Sequence, residues 1–192
     1  TPSVPLEQLK EIFAGIFEEF QEEYGDDTWD VVHLKEETHC YDNFNETKKT
    51  IALNLVCQGK YKEEDLVFIR VTTDFKAGWA FTKDSFCCGG SIGSGIIPYS
   101  EIASVRWYLG STDGNGIWIT PKNVNNSIKL PKKPKIRSVF DTPNANEVEY
   151  RIWDGDSVGS GSEILEGYVG DREDMEHIVA FLEAVKSLFN QG

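Results

Sequence analysis

The chain has 192 residues, 40% hydrophobic and 12% aromatic, with 32 acidic against 19 basic side chains and a formal net charge of −13. This composition excludes disorder and predicts one domain over residues 1–192 with a sizeable core. The charge repels phosphate backbones and anionic lipid surfaces, so we expect no nucleic-acid ligand, and a protein partner would present a basic surface; the alternative is that the acidity only maintains solubility. The longest apolar stretches, such as residues 66–69, are only a few residues long, so we expect no membrane insertion.

The first predicted element is an amphipathic helix over residues 1–25. Ser3 is placed to cap it, Pro5 suits its first turn, and Gly25 ends it. Apolar residues recur at spacings of three and four, with mostly polar and acidic residues on the other face. The apolar stripe consists of Leu6, Leu9, Phe13, Ile16, Phe17 and Phe20. Such a stripe is typical of a helix packed on a sheet.

An antiparallel sheet is predicted over residues 29–153. Residues 29–34 and 49–57 are predicted as strands of one hairpin, because turn-forming residues 41–46 lie between them. Residues 66–72 carry apolar side chains on both faces, which is typical of a central strand.

Short strands separated by tight turns continue this sheet. They are predicted at residues 79–82, 85–88, 96–99, 103–109, 117–120, 128–130 and 148–153. A meander of this kind favours a curved antiparallel sheet or a partly open barrel. Residues 131–146 are basic and contain prolines, which indicates a loop excursion, and residues 154–162 are predicted to form a mobile surface loop.

The last predicted element is an amphipathic helix over residues 171–190. Asp171 is placed to cap it, and Glu173 and Asp174 suit the positive end of the helix dipole. Its apolar stripe consists of Met175, Ile178, Val179, Leu182, Val185, Leu188 and Phe189. With a helix at each end of an antiparallel sheet, the predicted fold class is α+β.

The residues that could carry catalysis form no recognised constellation. The glycine-rich run at residues 89–95 lacks the Lys-Ser/Thr that completes a phosphate-binding loop, so it is predicted to be a hairpin loop. No serine lies in a G-x-S-x-G elbow. Cys87 or Cys88 is a candidate nucleophile, and the histidines that could serve it are His33, His39 and His177. Buried, inert cysteine is the competing interpretation.

The cysteines and carboxylates indicate no metal or cofactor. There are four cysteines, Cys40, Cys57, Cys87 and Cys88. As a metal set, Cys40, Cys87, Cys88 and a histidine lack the paired C-x2-C spacing of zinc sites. The even number permits disulfides, but a chain with an ample core does not need them, so reduced thiols in the cytoplasm are expected. The acidic residues after the last predicted strand miss the spacing of a calcium loop and are interpreted as a solvated loop; they are Asp154, Asp156, Glu163 and Glu166.

Basic and aromatic residues also argue against anionic ligands. The one basic cluster consists of Lys132, Lys133, Lys135 and Arg137, which is small beside the net charge of −13. Trp107, Tyr108 and Trp118 could stack on bases, but the strands that carry them add only Arg106, with Lys122 at a distance, to a positive groove. We therefore expect neither lipid-headgroup nor nucleic-acid binding.

Two segments are similar to a known family. Residues 74–86 read Asp-Phe-Lys-Ala-Gly-Trp-Ala-Phe-Thr-Lys-Asp-Ser-Phe, and residues 95–105 read Gly-Ile-Ile-Pro-Tyr-Ser-Glu-Ile-Ala-Ser-Val. They resemble bacterial pleckstrin-homology-like (PH-like) domains, which often carry a Gly-x-Ala-x-Thr strand, a short hairpin and then Ile-x-Tyr-x-x-Ile. The resemblance covers about residues 66–130 and the last helix, while the first helix and the excursion after residue 131 are additions.

The resemblance implies a curved antiparallel sheet capped by the C-terminal helix. It implies no enzymatic activity and no fixed ligand, because such scaffolds host many functions. Together with the missing catalytic pattern, this predicts a non-catalytic binding or regulatory module with a protein partner. The alternative is an enzyme of unrecognised type that uses a cysteine and a histidine in a pocket. No catalytic, cofactor-binding or metal residue is assigned.

Overall fold

The structure is a computed structural model, and it describes part of the chain. The described residues are 4–24, 41, 44–71, 75, 77–90, 95–109, 115–122, 148–153 and 172–189. Their helices are α1 (Leu6–Tyr24), α2 (Glu46–Cys57) and α3 (Arg172–Lys186). Their strands are β1 (Leu66–Val71), β2 (Ala77–Thr82), β3 (Ser85–Gly90), β4 (Gly95–Pro98), β5 (Ile102–Leu109), β6 (Asn115–Pro121) and β7 (Val148–Trp153).

The strands form two antiparallel sheets. The first has the order β1-β2-β3-β4 and the second the order β5-β6-β7. A short 3-10 helix, Tyr99–Glu101, connects them, and β7 also lies against β2 and β3. The predicted α+β class and antiparallel pairing are therefore confirmed, but the described strands form two sheets and do not close into a barrel.

Side chains that alternate along the four-stranded sheet point into two separate cores. The main core lies between this sheet, the second sheet, α1 and α3. Its buried residues are Leu9, Trp79, Phe81, Phe86, Cys88, Ile97, Tyr99, Ile102, Val105, Ile117, Ile119, Ile178, Phe181, Leu182 and Val185. The second core lies between the opposite face and α2. Its buried residues are Tyr41, Ala52, Val56, Cys57, Leu66, Ile69, Val71, Ala80 and Cys87.

Residues 49–57 belong to α2, so the prediction of a strand there was wrong. The Asn45 side chain caps this helix by accepting a hydrogen bond from the Lys48 backbone N–H at 2.9 Å. Ala52 and Val56, four residues apart, then face the sheet together. An apolar run of this length fits either a strand or a helix, and the cap decides between them. The predicted hairpin is therefore wrong in its second arm.

The strand predicted at residues 66–72 is present as β1, and among the described strands it does not have the predicted central position. It stands at one end of the described four-stranded order. Both of its faces are nevertheless covered, because the Phe68 ring stacks on Phe13 of α1 at 4.6 Å while Ile69 belongs to the second core. Helices on both sides of a strand give the same two-sided apolar pattern as a central position.

Both terminal helices are confirmed as packed on the sheets. In α1, Leu9 is fully buried, and Phe13 and Ile16 pack against the main core. In α3, the largest of the fully buried side chains is Phe181, which the predicted stripe omitted. Its ring stacks on Phe81 with 4.1 Å between centroids. The Lys186 ammonium donates to the Ala103 carbonyl of β5 at 3.0 Å and so fastens the end of α3.

The strands predicted between residues 79 and 120 and at residues 148–153 are confirmed, with small differences in their bounds. Several other predictions fall outside the described residues. These are the strands at 29–34 and 128–130, the excursion at 131–146, the loop at 154–162, the caps Ser3 and Asp171, and the candidates His33, His39, Cys40, Lys132, Lys133, Lys135, Arg137, Asp154, Asp156, Glu163 and Glu166.

Candidate functional site

The two candidate nucleophiles lie on opposite faces of β3. Cys87 is fully buried in the second core beneath α2, and Cys88 is 2% exposed in the main core. Their separation follows from the alternation of side chains along a strand. Cys57, at the end of α2, shares the second core with Cys87, and all three thiols are free.

The environments of Cys87 and Cys88 suppress the ionisation of their thiols. A hydrogen bond with the Cys57 thiol, together with burial, holds the pKa of Cys87 far above its ordinary value. Burial raises the pKa of Cys88 to about 12, against the opposing effect of a hydrogen bond to the Gly95 backbone. Because the thiolate is the nucleophilic form, neither side chain is prepared for nucleophilic catalysis.

The histidine His177 lies on the α1–α3 side of the four-stranded sheet. It is 2% exposed, and its ring stacks on Phe13 with 4.7 Å between centroids. Cys87 faces α2 on the opposite side of the same sheet. The structure therefore does not bring His177 and Cys87 together as a catalytic pair.

A polar cluster that the sequence did not predict surrounds the turn between β2 and β3. The Tyr61 hydroxyl donates to Asp84 Oδ1 at 2.6 Å, and the Ser85 hydroxyl donates to the same oxygen at 3.0 Å. The Thr82 hydroxyl donates to the Ser85 carbonyl at 3.0 Å, and the Tyr99 hydroxyl donates to the Thr82 carbonyl at 2.7 Å. The turn residues themselves could have been anticipated, but nothing local in the sequence connects them to Tyr61.

The two tyrosines of this cluster, Tyr61 and Tyr99, have raised pKa values. Burial and the hydrogen bond to Asp84 raise the pKa of Tyr61 to about 12. Burial also raises the pKa of Tyr99 well above its ordinary value. Both phenols remain protonated near neutral pH and act as hydrogen-bond donors. Tyr61 fastens the turn to the segment before β1, and Tyr99 fastens it to the segment after β4.

The raised tyrosine pKa predicts alkaline destabilisation. The unfolded chain releases the Tyr61 proton near the ordinary pKa of 10.0, whereas the folded chain retains it until about 12. This stabilisation is therefore complete below pH 10 and is lost as the pH rises towards 12. We expect the urea midpoint to fall across this interval, with the tyrosinate absorbance reporting the ionisation. In Tyr61→Phe the fall should be shallower, and an identical pH profile would contradict the assignment.

The outer face of α1 carries exposed carboxylates. Glu11, Glu18 and Glu19 are exposed on it, and Glu7 lies 3.8 Å from Lys10. Glu7, Glu11 and Glu18 follow one another at intervals of four and seven residues, which places them on the side of α1 that faces away from the main core, with Glu19 beside them. This face can attract a cationic surface by its charge.

Trp107 and Trp118, the aromatic residues of the second sheet whose side chains are described, are not exposed stacking platforms. Trp118 is 2% exposed, and the Arg106 guanidinium lies 4.1 Å from the centroid of its ring. Trp107 packs against the main core, while the Tyr108 side chain lies outside the described part of the structure. A base could reach Trp118 only by displacing the covering groups.

Within the described ranges, no group of three or more His, Cys, Asp or Glu side chains is placed to hold a metal ion. None of the helices that the structure describes has the length and apolar character needed to cross a membrane.

The comparisons with known proteins found no match to a family model, to a curated protein or to a solved structure.

Proposed function

We propose that this chain is a non-catalytic binding module on a PH-like scaffold, with a protein that presents a basic surface as its partner. The single observation that carries the proposal is the placement of its reactive and charged groups. The described thiols and His177 are buried in the cores, whereas the carboxylates of α1 are exposed. Of these groups, all in the described part of the chain, those exposed to a ligand are therefore the carboxylates.

The order of the elements supports the proposed scaffold. A four-stranded antiparallel sheet comes first, a three-stranded sheet follows, and α3 packs on both. The segments that resemble the PH-like family become the β2–β3 hairpin and the passage from β4 through Tyr99 into β5. The Tyr99 side chain occupies the junction of the two sheets, where it also contacts Phe181 of α3 at 6.1 Å between ring centroids.

The buried thiols argue against the enzymatic alternative. A cysteine nucleophile needs a thiolate and a base within hydrogen-bond reach. Cys87 has a raised pKa, and its hydrogen-bonded neighbour is another thiol, Cys57. Free thiols also support a reducing compartment, and we place the protein in the cytoplasm on that basis.

The acidic face of α1 supports a cationic partner. The apolar side of the helix is packed on the main core and is not exposed to a partner, since Leu9 is fully buried and Ile12 and Phe13 pack against that core. Its outer side is then left to solvent, with Glu11, Glu18 and Glu19 exposed. Complementary charge across an interface accelerates association and selects among partners, and it makes binding sensitive to salt.

Affinity capture with a charge-reversed variant tests this function. The full chain and the triple variant Glu11→Lys/Glu18→Lys/Glu19→Lys would be immobilised and exposed to extract from the native source. We expect basic proteins on the wild-type chain, with retention that weakens as salt shortens the range of charge interactions. The triple variant should retain at least about tenfold less basic protein, which corresponds to a loss of roughly 1.4 kcal/mol in binding free energy.

The matched control reverses charge at exposed positions away from α1. Glu46→Lys/Glu64→Lys replaces two exposed carboxylates. Glu46 is the first residue of α2, and Glu64 lies just before β1. It should leave capture unchanged, and circular dichroism should show all three chains folded. Equal capture by the wild type and the triple variant, or salt-independent capture of acidic proteins, would contradict the proposal.

A further inference from the structure

The last turn of α2 rests directly on the backbone of β3. A Cβ atom placed on Gly89 would lie 1.9 Å from the Leu55 carbonyl oxygen and 3.2 Å from the Val56 Cα. The next residue of α2 is Cys57, and two residues back along β3 is Cys87. Both are fully buried in the second core. The close approach of helix and strand therefore brings two cysteines from distant parts of the chain into one place.

Cys57 and Cys87 are neighbours in the second core, and the Cys57 thiol is close enough to raise the pKa of Cys87 through a hydrogen bond. Cys88, although adjacent in sequence, belongs to the main core on the other face of the sheet. The contact therefore distinguishes Cys87 from Cys88 as the neighbour of Cys57. A disulfide requires Cβ atoms about 3.5–4.5 Å apart, a separation that only closely packed elements provide.

We propose that Cys57 and Cys87 form a redox-active pair, which closes to a disulfide between α2 and β3 when the chain meets a small-molecule disulfide oxidant. The bond would hold α2 against the four-stranded sheet. It would stabilise the folded chain by restricting the unfolded one.

The reaction is a pair of thiol–disulfide exchanges. The Cys57 thiol loses its proton and attacks one sulfur of the oxidant, whose S–S bond breaks and whose other sulfur leaves as a thiol. Cys87 then loses its proton, attacks the Cys57 sulfur and displaces the second small thiol. Two cysteine thiols are oxidised, the small disulfide is reduced to two thiols, and the two protons end on the released thiols.

Burial controls the rate of the first exchange. With α2 in place, the oxidant cannot reach Cys57, which is fully buried. Contact with Cys57 and burial also raise the pKa of Cys87, so its thiolate is scarce while the core is closed. Reaction therefore depends on local opening of α2 from the sheet, an event that costs less than global unfolding. The pair stays reduced while α2 is packed on the sheet, and it is oxidised to the disulfide when α2 opens in the presence of the oxidant.

The test uses the full chain with the other cysteines removed, as Cys40→Ala/Cys88→Ala. Folded protein is incubated with oxidised glutathione, remaining thiols are alkylated, and the products are examined by intact mass and by non-reducing peptide mapping. We expect loss of two hydrogens, a peptide linking Cys57 to Cys87, and a thermal midpoint raised by about 5 °C or more. Dithiothreitol should reverse all three changes, and wild type should give the same link.

The control Cys87→Ala removes one half of the pair. Its oxidation should leave Cys57 either unreacted or carrying glutathione, with no rise in thermal midpoint. A stable glutathione adduct in the double variant would overturn the proposal, as would a link that forms only after complete unfolding in urea. If the double variant does not fold, the wild-type peptide map decides, because a disulfide of Cys57 or Cys87 with Cys40 or Cys88 excludes the proposed pair.

Discussion

Removing residues 171–192 is expected to unfold the chain rather than to expose a binding groove. The deletion removes α3, in which Ile178, Phe181, Leu182 and Val185 are fully buried in the main core. Burying one such side chain contributes roughly 1.5–3 kcal/mol, so the four together contribute on the order of 6–12 kcal/mol. A typical domain has a free energy of unfolding of only about 5–15 kcal/mol.

The measurement compares thermal melts of the full chain and of residues 1–170. The truncated chain should aggregate or lack a cooperative transition, because the main-core faces of both sheets lose their cover. The point variant Glu183→Ala, at an exposed position of α3, should melt within a few degrees of the wild type. A soluble monomer of residues 1–170 with a transition close to that of the full chain would contradict the structural role of α3.

The substitution Gly89→Ala is expected to cost about 3 kcal/mol of stability, near the upper end for overpacked cores. The added Cβ would lie 1.9 Å from the Leu55 carbonyl oxygen. That oxygen belongs to the backbone of α2 and cannot rotate away, so α2 must shift from the sheet. The second core would then lose contacts between Val56 and the strands beneath it.

A matched glycine provides the control for this substitution. Gly15 lies on the exposed side of α1, and a Cβ atom there meets nothing within 4 Å. Gly15→Ala should stabilise the chain by up to about 1 kcal/mol, because alanine is the better helix former. Urea unfolding followed by circular dichroism measures both variants. Equal midpoints for Gly89→Ala and wild type would show that α2 does not approach β3 as closely as the structure indicates.

The same close approach connects stability with the proposed redox chemistry. Gly89 allows α2 to touch β3, and this contact places Cys57 beside Cys87. A displaced α2 in Gly89→Ala would separate the sulfurs and expose them. Modification of the thiols by an oxidant is therefore expected to become faster in Gly89→Ala, whereas closure of the Cys57–Cys87 disulfide is expected to become less complete.

The α2 segment illustrates the limit of local sequence patterns. Residues 49–57 contain an apolar run that suits a strand or a helix, and the choice depends on which surface it meets. The local signal for a helix is Asn45 followed by Glu46, which together suit the beginning of a helix. The spacing of Ala52 and Val56 favours the helix over the strand because both side chains pack in the second core, which only the structure shows.

The polar cluster could not be predicted for a different reason. Asp84 and Ser85 lie in a recognisable turn, but Tyr61 is 23 residues away from Asp84 along the chain. Sequence patterns describe which face of an element is apolar, whereas they do not describe which side chain from another element reaches a given turn. The raised pKa of Tyr61 is consequently a product of tertiary contact.

The sequence by itself determined α1, α3, the β2–β3 hairpin and the antiparallel strands, because these follow from local periodicity and turn chemistry. Only the tertiary structure decided that the strands form two sheets, that α2 is a helix and that both faces of β1 are covered. It also decided that Cys87 meets Cys57 while Cys88 lies in the other core. The reason is that alternation along a strand separates neighbouring residues, while packing between distant elements determines which of them meet.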